Sequence, residues 1–423
     1  MKKSRKLSAV TALGSLTAAV ALLAGSPDAS AQTAPGGGSF PGSFLVPGTN
    51  TSIKIGGFAK VVGIYDANSA GTGDVLAVSA VPLDGSAAHD LHGNTRFHAR
   101  QSNINFDTRT PTAYGDLTTF VLVDMFGQNT SESQNASTTQ NARLVYAYGT
   151  LGPFLAGQWV SLWADTDAIA ESVDPTGHVG TMDGLTNRVP QFRYTFAAPG
   201  GFSTALSVEN PEAEGRNVTG NFTTSSLGGV DRYPNLVARA RMDQAWGHAA
   251  LTLNYRDMKV EAPGIRVSKS SYGIEASGHL NTFGKDALKA TAMWGKALGH
   301  YLSDISTEGG LQTDLATGAA GAPIAYGANV GYTHWWTGGL RSSIEGGYSH
   351  SALDSGILTT AAEQSGAEKR HIEGRVNLIW SPVPQVDLGA EYMYARRWVW
   401  AASGGAGDVG ALHRFEVESV FKF

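Results

Sequence analysis

The sequence predicts an all-β protein, a transmembrane antiparallel β-barrel with sixteen strands, short periplasmic turns, long extracellular loops and one loop folded into the lumen. Three observations predict it. Apolar and polar residues alternate with a period of two through most of the chain after residue 50, which is typical of strands with two different environments. The connections between these segments alternate between short and long. The chain also ends on such a segment, "RFEVESVFKF".

The first element is a signal peptide, predicted over residues 1–31. Its beginning, "MKKSRK", is basic, an apolar stretch runs from Leu7 to Ala24, and Ala29-Ser30-Ala31 matches a cleavage site. An uncleaved anchor is the alternative, but the apolar stretch is shorter than the roughly 20 residues that span a bilayer. We therefore expect export. Because the chain has no cysteine, disulfides and thiolate-bound zinc are excluded.

Residues 32–50, "QTAPGGGSFPGSFLVPGTN", are rich in Gly and Pro and are predicted to form a flexible segment. Residues 51–423 are predicted to form the barrel. The segments predicted as strands are 51–66, 95–108, 116–127, 141–149, 153–160, 189–197, 201–209, 234–243, 246–258, 268–280, 286–298, 322–336, 339–351, 369–381, 385–397 and 411–423.

The connections favour a membrane barrel over a soluble β-sandwich or propeller. The long connections, at 67–94, 161–188, 210–233, 299–321 and 352–368, all fall at the same end of the predicted sheet. Lipid offers no partner for an unpaired strand edge, so the first segment must pair with the last. Sixteen strands leave a water-filled lumen. Tryptophans near the strand ends provide aromatic residues for the interfaces, namely Trp335, Trp336, Trp380, Trp398 and Trp400.

Several motifs in the N-terminal half resemble the DcaP-like outer-membrane porins. They are "SFLVPGTNTSIKIGGFAKVVGIYD", "RFHARQSNINFDTRTPTAYGDLTTFVLVDMFG", "LVYAYGTLGPFLAGQWVSLWAD", "PQFRYTF" and "LSVENPE", in this order. The C-terminal half resembles the family in pattern only. The resemblance implies a homotrimer of sixteen-stranded barrels in a Gram-negative outer membrane. It also implies passage of small anions such as dicarboxylates and aromatic carboxylates, and contact with outer-membrane lipid and lipopolysaccharide.

The parity of the strands assigns the charged residues to the lumen. If the apolar face contacts lipid, the first eight strands place mostly cations inside. These predicted lumen cations are Lys54, Lys60, Arg96, Arg100, Arg143, Arg193, Arg239 and Arg241. The later strands place mostly acids inside, with Arg341, Arg375 and Arg414 among them. The motif "QSNIN" interrupts the alternation beside Arg96 and Arg100, so a bulge or a subunit contact is expected there.

This distribution indicates anion preference, because Arg and Lys in a pore raise the local concentration of anions. The guanidinium fork of Arg also matches a carboxylate. The alternative is a non-selective general porin, in which the charges only solvate a wide lumen. A third interpretation is a barrel that acts mainly as a surface adhesin or receptor.

The connection 161–188 follows the fifth strand. In sixteen-stranded porins generally that loop folds inward, and we expect the same here. Its acids are predicted to narrow the pore opposite the arginines and to create a transverse field. These constriction-loop acids are Asp165, Asp167, Glu171 and Asp174. The Asp165–Asp167 pair leaves calcium binding open, although two carboxylates are a weak signal.

No enzymatic motif stands out. Ser277-Gly278-His279 places a serine near a histidine, but a nucleophile also needs an orienting group and an oxyanion site. We therefore expect no catalysis and no cofactor. The net charge of −5 gives no reason to expect nucleic-acid binding. Phe423 is expected to be read by the outer-membrane assembly machinery, because a final strand ending in an aromatic residue resembles its signal.

Overall fold

The computed structural model describes residues 37–68, 73–127, 141–174, 176, 178–182, 187–222, 229–302, 304–305, 309–402 and 404–423. The predicted signal peptide lies outside the described residues. Among the described residues, no helix is long and apolar enough to cross a membrane.

Sixteen antiparallel strands form a closed barrel, as the alternation predicted. They are β1 Ser52–Asp66, β2 in two sections (Asn94–His98 and Asn103–Thr112), β3 Gly115–Asp124, β4 Arg143–Leu151, β5 Phe154–Val160, β6 Arg188–Ala197, β7 Phe202–Glu209, β8 Asn235–Gln244, β9 Gly247–Ala262, β10 Ile265–Asn281, β11 Ala287–Lys296, β12 Ile324–Trp335, β13 Leu340–Ser351, β14 Glu368–Val383, β15 Val386–Val399 and β16 Val409–Lys422.

The first and last strands close the sheet. In β1, Phe58 lies opposite Lys422 and Asp66 lies opposite Arg414 of β16. On its other edge β1 pairs with both sections of β2, and the remaining neighbours pair in chain order. Closure leaves no strand edge of the barrel unpaired in lipid, where backbone groups have no water to bind.

The two faces of the strands differ as the period of two requires. On β9, Leu251, Leu253 and Tyr255 are exposed on the outside of the barrel, whereas Thr252 and Arg256 are buried on the lumen side. Outward apolar residues are stable in lipid, while the inward polar residues need partners. Most of these partners come from loops that fill part of the lumen.

The motif "QSNIN" interrupts β2, as expected, and the alternation changes phase there. Before the break, Arg96 lies opposite Ile64 of β1; after it, Asp107 lies opposite Lys54. Even-numbered residues therefore face the lumen in the first section of β2 and odd-numbered residues do so in the second. Arg100 lies in the break between the two sections.

The long connections lie at one end of the barrel, and we number them as loops. Loop 1 is residues 67–93, loop 3 is 161–187, loop 4 is 210–234, loop 6 is 297–323 and loop 7 is 352–367. Strands β9 and β10 extend past the predicted segments and meet at Pro263–Gly264. Loops 4 and 6 form a small sheet from Gly220–Phe222, Gly215–Asn217, Leu311–Asp314 and Ala319–Gly321. Short 3₁₀ turns occupy Val78–Ala80, Thr166–Ala168, Pro199–Gly201 and Gly299–Tyr301.

The described part of the predicted flexible segment 32–50 packs against the barrel, which differs from the prediction. Phe44 and Leu45 pair with the start of β1. Phe40 is buried, and the guanidinium of Arg109 lies 4.1 Å from its ring centroid. Gly and Pro favour tight turns in this segment. The buried aromatic ring of Phe40 supplies the contact area that holds the segment against the barrel.

Loop side chains form apolar clusters inside the lumen. Loop 1 contributes Leu76, Val78 and Val81, which pack with residues of loop 3, β15 and β16. Loop 6 contributes Leu298, Tyr301, Leu302 and Ile305 to a second cluster, which contains Trp163 of loop 3. The length of loop 1 predicts an external connection, whereas its Leu76, Val78 and Val81 are buried in the lumen. Its apolar run "VLAVSAVPL" was the signal for burial.

Candidate functional site

Loop 3 folds into the lumen and runs along one side of the inner wall. It begins at Ser161, whose hydroxyl and the next backbone N–H donate to the carboxylate of Glu209 on β7, both at 2.7 Å. Its later residues are bonded to the inner faces of β8 through β15 and of β1. These hydrogen bonds from loop 3 do not involve the lumen faces of β2 to β6. Loop 3 therefore covers the wall formed by the later strands.

The acids of the later strands are engaged beneath loops 1 and 3. Glu391 accepts from the backbone N–H of Val173 at 3.0 Å, and Glu373 accepts from that of Val179 at 3.1 Å. Arg375 donates to the carbonyl of Asp174 and pairs with Glu373 at 2.7 Å. The other lumen acids of these strands are also buried, namely Glu275, Glu345, Asp387 and Glu416. Glu391, Glu373 and Glu345 are bonded to loop 3, and all of these carboxylates are buried.

The cations of the first eight strands divide into neutralised and unneutralised groups. Lys60 pairs with Glu418 at 2.8 Å and donates to the carbonyl of Val173. Arg96 pairs with Asp66 at 2.8 Å, and Arg100 pairs with Asp74 at 2.9 Å. Arg143 pairs with Asp124 at 2.6 Å, and Arg241 pairs with Asp167 and Asp243, both at 2.9 Å.

Lys54, Arg193 and Arg239 differ from the cations above. Arg193 donates to Gln191 and to the carbonyl of Val160, and Arg239 donates to Thr252 and to the carbonyl of Trp163. Neither guanidinium forms an ion pair with a carboxylate in the described part of the chain, and Lys54 is exposed. These three cations therefore have no ion-pair partner within the described residues.

The acids of loop 3 lie differently from the prediction. Asp165 and Asp167 contact Arg241 directly, at 3.5 and 2.9 Å, instead of facing the arginines across a gap. Glu171 lies on the opposite side and pairs with Arg341, whereas Asp174 accepts from the backbone N–H of Leu76 in loop 1. A loop packed against the wall brings its acids into contact with the nearest cations, so the opposed charges offset one another locally.

Asp165 is buried within the lumen. His248 and Ser277 donate to its Oδ2 at 2.8 and 2.7 Å. Burial opposes the negative charge, but the hydrogen bond from His248, the nearby charge of Arg239 and the hydroxyl of Ser277 hold the pKa of Asp165 well below its usual range. Asp165 is thus a fixed anion that anchors the loop. Its hydrogen bonds go to protein donors, and the described residues contain no cluster of three or more metal-ligating side chains.

His178 anchors the returning half of loop 3. Its Nδ1 lies 2.6 Å from Oε1 of Glu345, and its Nε2 lies 3.2 Å from the hydroxyl of Ser172. Burial disfavours the charged imidazole, but the carboxylate of Glu345 raises the pKa of His178 above its ordinary value. The charge of this loop anchor therefore depends on pH.

An aromatic cluster lies on the lumen face of β3, β4 and β5, where the alternation of the sequence does not predict it. The rings of Tyr146 and Tyr148 on β4 each lie 4.4 Å from that of Trp159 on β5, with Phe120 of β3 6.4 Å from Trp159. Tyr146 and Trp159 also pack against the apolar cluster of loops 3 and 6 in the lumen. The rule that apolar faces contact lipid misplaces such residues. Tyr146 and Tyr148 are two residues apart and therefore lie on the same face of β4, which is the one sign of this cluster in the sequence.

The aromatic cluster adjoins the arginines of β6. Leu155 of β5 lies opposite Arg193, and Gly157 lies opposite both Tyr148 and Gln191. The guanidinium of Arg188 lies 5.4 Å from the ring centroid of Tyr146. A flat apolar surface and a cation are therefore side by side on the same wall of the lumen.

A cavity of about 370 Å³ lies beside loop 3, on the side that reaches the turn between β10 and β11. It is lined by Thr166, Asp167, Glu171, His279, Lys285, Ala287, Lys289, Thr333 and Trp335. Trp335 thus faces the lumen, unlike the interface position that the sequence suggested for it. The cavity joins the pore and has mixed charge.

The Ser277–His279 pair does not form a catalytic arrangement. Ser277 donates to Asp165, and His279 contacts His248 through a nitrogen–nitrogen distance of 2.9 Å. A serine nucleophile needs a base that accepts its proton, but here the hydroxyl points to a carboxylate that anchors a loop. These groups hold loop 3 against β9 and β10.

The terminal strand places its aromatic residues outward. Phe415 and Phe421 are exposed on the outer face of β16. Phe423 follows the end of β16, is exposed, and its backbone N–H donates to the carbonyl of Gly57 on β1 at 3.1 Å. The last residue is therefore attached to the strand that closes the barrel.

Comparisons with known proteins agree with this architecture. The model of the family described as "Porin subfamily" matches residues 41–409. The outer-membrane channel DcaP of Acinetobacter baumannii has the same fold, with a TM-score of 0.73 and 21% identity over 88% of this chain and 98% of that one. No curated protein matches the chain.

Two more distant structures share the barrel. The anion-selective porin from Comamonas acidovorans has a TM-score of 0.57 and 11% identity, over 88% of this chain and 100% of that chain. OmpT of Vibrio cholerae has a TM-score of 0.54 and 10% identity, over 88% and 98% of the two chains, and was also solved in a trimer form. At these identities the likeness concerns the fold alone.

Proposed function

The chain belongs to the porin subfamily and is therefore an outer-membrane channel for passive diffusion, and on that premise we propose that it prefers small anions. The proposed solutes are dicarboxylates and aromatic carboxylates. Two features of the inner wall support the preference for anions. Some of its cations have no ion-pair partner among the described residues, and the acids of its later strands are buried. A non-selective general porin would need the two signs of charge to be equally accessible.

The observation that carries the proposal is the unneutralised pair Arg193 and Arg239. Each donates hydrogen bonds to neutral groups and has no carboxylate partner among the described residues. The acids of the opposite wall are buried under loop 3. A solute that passes beside Arg193 and Arg239 thus meets guanidinium groups, which attract anions and can bind a carboxylate with two hydrogen bonds.

The aromatic cluster supports the proposal for aromatic carboxylates. Trp159, Tyr146 and Tyr148 provide a surface on which a ring can stack, and Arg193 lies one residue pair away to receive the carboxylate. Ring stacking contributes roughly 0.5–1.5 kcal/mol beyond the area that it buries. Such weak contacts favour entry without trapping the solute.

The assembly of the channel is also proposed. We expect a homotrimer in the outer membrane, reached by export with a cleaved signal peptide and by insertion through the outer-membrane assembly machinery. The trimer form of the Vibrio cholerae protein supports this, because the two barrels share a fold. The outward apolar face of the strands supports contact with lipid.

Planar-bilayer recording of the purified protein tests the proposal. We expect open channels and, under a salt gradient, a reversal potential of the sign that indicates anion preference. A zero reversal potential would favour a general porin. An absence of channels would favour the adhesin or receptor interpretation instead.

The solute class needs a separate measurement. Liposome swelling with an aliphatic dicarboxylate, an aromatic carboxylate and a neutral sugar of similar size should rank the carboxylates above the sugar. Equal rates for all three solutes would contradict a role for the arginines in selection.

A further inference from the structure

The outer face of β11 to β15 carries a lateral row of residues that differs from the apolar surface below it. The register places Trp294, Tyr326, His350, Arg370 and Trp398 side by side on successive strands. The row lies near the long-loop end of the strands, and Arg370 is exposed. Aromatic residues at this level are typical of a membrane interface, but an outward arginine is not explained by the aromatic girdle.

Two arginines contact the indole ring of the tryptophan Trp398 in this row. The guanidinium of Arg370 lies 4.2 Å from the ring centroid of Trp398, and that of Arg396 lies 4.7 Å from it. Arg396 lies opposite Ile372, which places it one residue pair below the row on the same outer face. Lys369 adds a third cation, with its Nζ 4.5 Å from the ring centroid of Trp400.

The charge of this patch is not balanced by acids within the described residues. No ion pair among the described residues includes Arg370 or Arg396. The ion pairs nearest to them in sequence lie on the lumen side of the strands and are Arg397–Glu368 and Arg375–Glu373. The Nε atom of Arg396 is also buried without a hydrogen-bond partner. Two like charges on one indole repel each other, so an anion that bridges them would be stabilising.

The height of the patch matches the headgroups of the outer leaflet. Trp380 lies opposite Leu388 of β15, and Trp398 is ten residues further along that strand. Ten residues at about 3.3 Å each, tilted by about 40°, span roughly 25 Å of membrane thickness, which is the usual height of the apolar band. If Trp380 marks the inner interface, Trp398 and its arginines lie at the outer one.

We propose that Arg370, Arg396 and Trp398 form a binding site for the phosphate groups of a phosphorylated glycolipid of the outer leaflet, the lipopolysaccharide class. A guanidinium fork matches two phosphate oxygens, and basic side chains at a membrane surface attract anionic lipids. The apolar residues below the patch, such as Ile372 and Val376, would contact the acyl chains. This site is on the outside of the barrel and is independent of the solute that passes through it.

Native mass spectrometry of the detergent-purified full-length protein tests the site. The probe is a lipid A with two phosphates, compared with the same lipid after enzymatic removal of the phosphates. We expect the wild-type protein to retain the phosphorylated lipid at least about tenfold more strongly. The double variant Arg370→Gln/Arg396→Gln should lose most of this difference while its conductance stays unchanged.

The matched control is Arg266→Gln. Arg266 is an exposed arginine of β10 that already has Glu261 at 3.7 Å, so its removal should not change lipid retention. Equal retention of the two lipids by the wild-type protein would overturn the proposal, even if the double variant fails to fold. Full retention by the double variant would overturn it as well. Dissociation of an assembled trimer in the double variant would assign the patch to a contact between copies and also overturn it.

Discussion

Arg341 on β13 and Glu171 on loop 3 form a two-pronged ion pair. The Nε of Arg341 donates to Oε2 at 2.5 Å and its Nη2 donates to Oε1 at 2.6 Å. Arg341 is buried and is also bonded to Ser381, whereas the side chain of Glu171 is 42% exposed. The pair fixes the middle of loop 3 to the wall opposite the unneutralised arginines. The contact is one of several that hold loop 3 inside the lumen.

Glu171→Gln should loosen loop 3. Because Glu171 is partly exposed, the loss in anchoring is expected to be small, on the order of 1 kcal/mol. We expect larger fluctuations of the open-channel current and closure at lower voltage. Single-channel recording measures both, with Arg266→Gln as a control. A current as quiet as that of the wild-type protein would show that other contacts suffice to hold the loop.

Arg193→Ala and Arg239→Ala should move the reversal potential toward cations. Each removes a positive charge that forms no ion pair with a carboxylate of the described residues. The matched control is Arg143→Ala, because Arg143 is already paired with Asp124 at 2.6 Å. A shift in the control as large as in the two variants would contradict the distinction between paired and unpaired cations.

Trp159→Leu should reduce the preference for aromatic carboxylates over aliphatic ones. The indole makes two close ring contacts, with Tyr146 and Tyr148, so its loss removes the centre of the stacking surface. Liposome swelling with an aromatic and an aliphatic dicarboxylate measures the ratio, which should fall several-fold, in line with roughly 1 kcal/mol of stacking. An unchanged ratio would remove the cluster from the selection of solutes.

Alkaline pH should weaken the attachment of loop 3 at His178. Burial is the largest single influence on His178 and lowers its pKa, but the charge and hydrogen bond of Glu345 together with the charge of Glu373 outweigh it, so the pKa of His178 is raised in the folded state. A raised pKa adds stability that is complete below about pH 6.5, the ordinary value, and is lost as pH rises through the folded pKa. Glu373 and Arg375 also face this group and partly offset each other.

The pH effect can be measured by protease cleavage within loop 3 between pH 6 and pH 10. Cleavage of the wild-type protein should accelerate toward the alkaline end, and His178→Asn should show faster cleavage that varies little with pH. The same pH profile in both proteins would place the titrating group elsewhere.

Deletion of Phe423 should harm assembly more than conduction. The residue is exposed, and its backbone N–H is bonded to the carbonyl of Gly57 on β1. We expect a several-fold lower yield of assembled barrel in the outer membrane, with unchanged single-channel conductance in the molecules that assemble. Substitution by Tyr should preserve the yield. Normal assembly without Phe423 would refute its role as a signal.

The sequence alone determined the barrel, because its evidence is local. Each strand alternates within about ten residues, and lipid imposes the same rule on every strand, so neither distant contacts nor side-chain detail was needed. The position of loop 3 after the fifth strand also followed from counting strands. Parity alone assigns Lys54, Arg193 and Arg239 to the lumen, and in the register they lie opposite Asp107, Ser207 and Thr252.

The tertiary structure decided which charges a solute can reach. Asp243 pairs with Arg241 locally, but the second pairing of Arg241, with Asp167, joins residues 74 positions apart, and the enclosure of Glu373 depends on where Val179 comes to lie. Such pairs form by the folding of a loop against a wall, which no local pattern encodes. The aromatic cluster was missed for the same reason, since an inward apolar face and a lipid-facing one have the same alternation. Parity separates two faces of a strand, but only packing tells which partners each face receives.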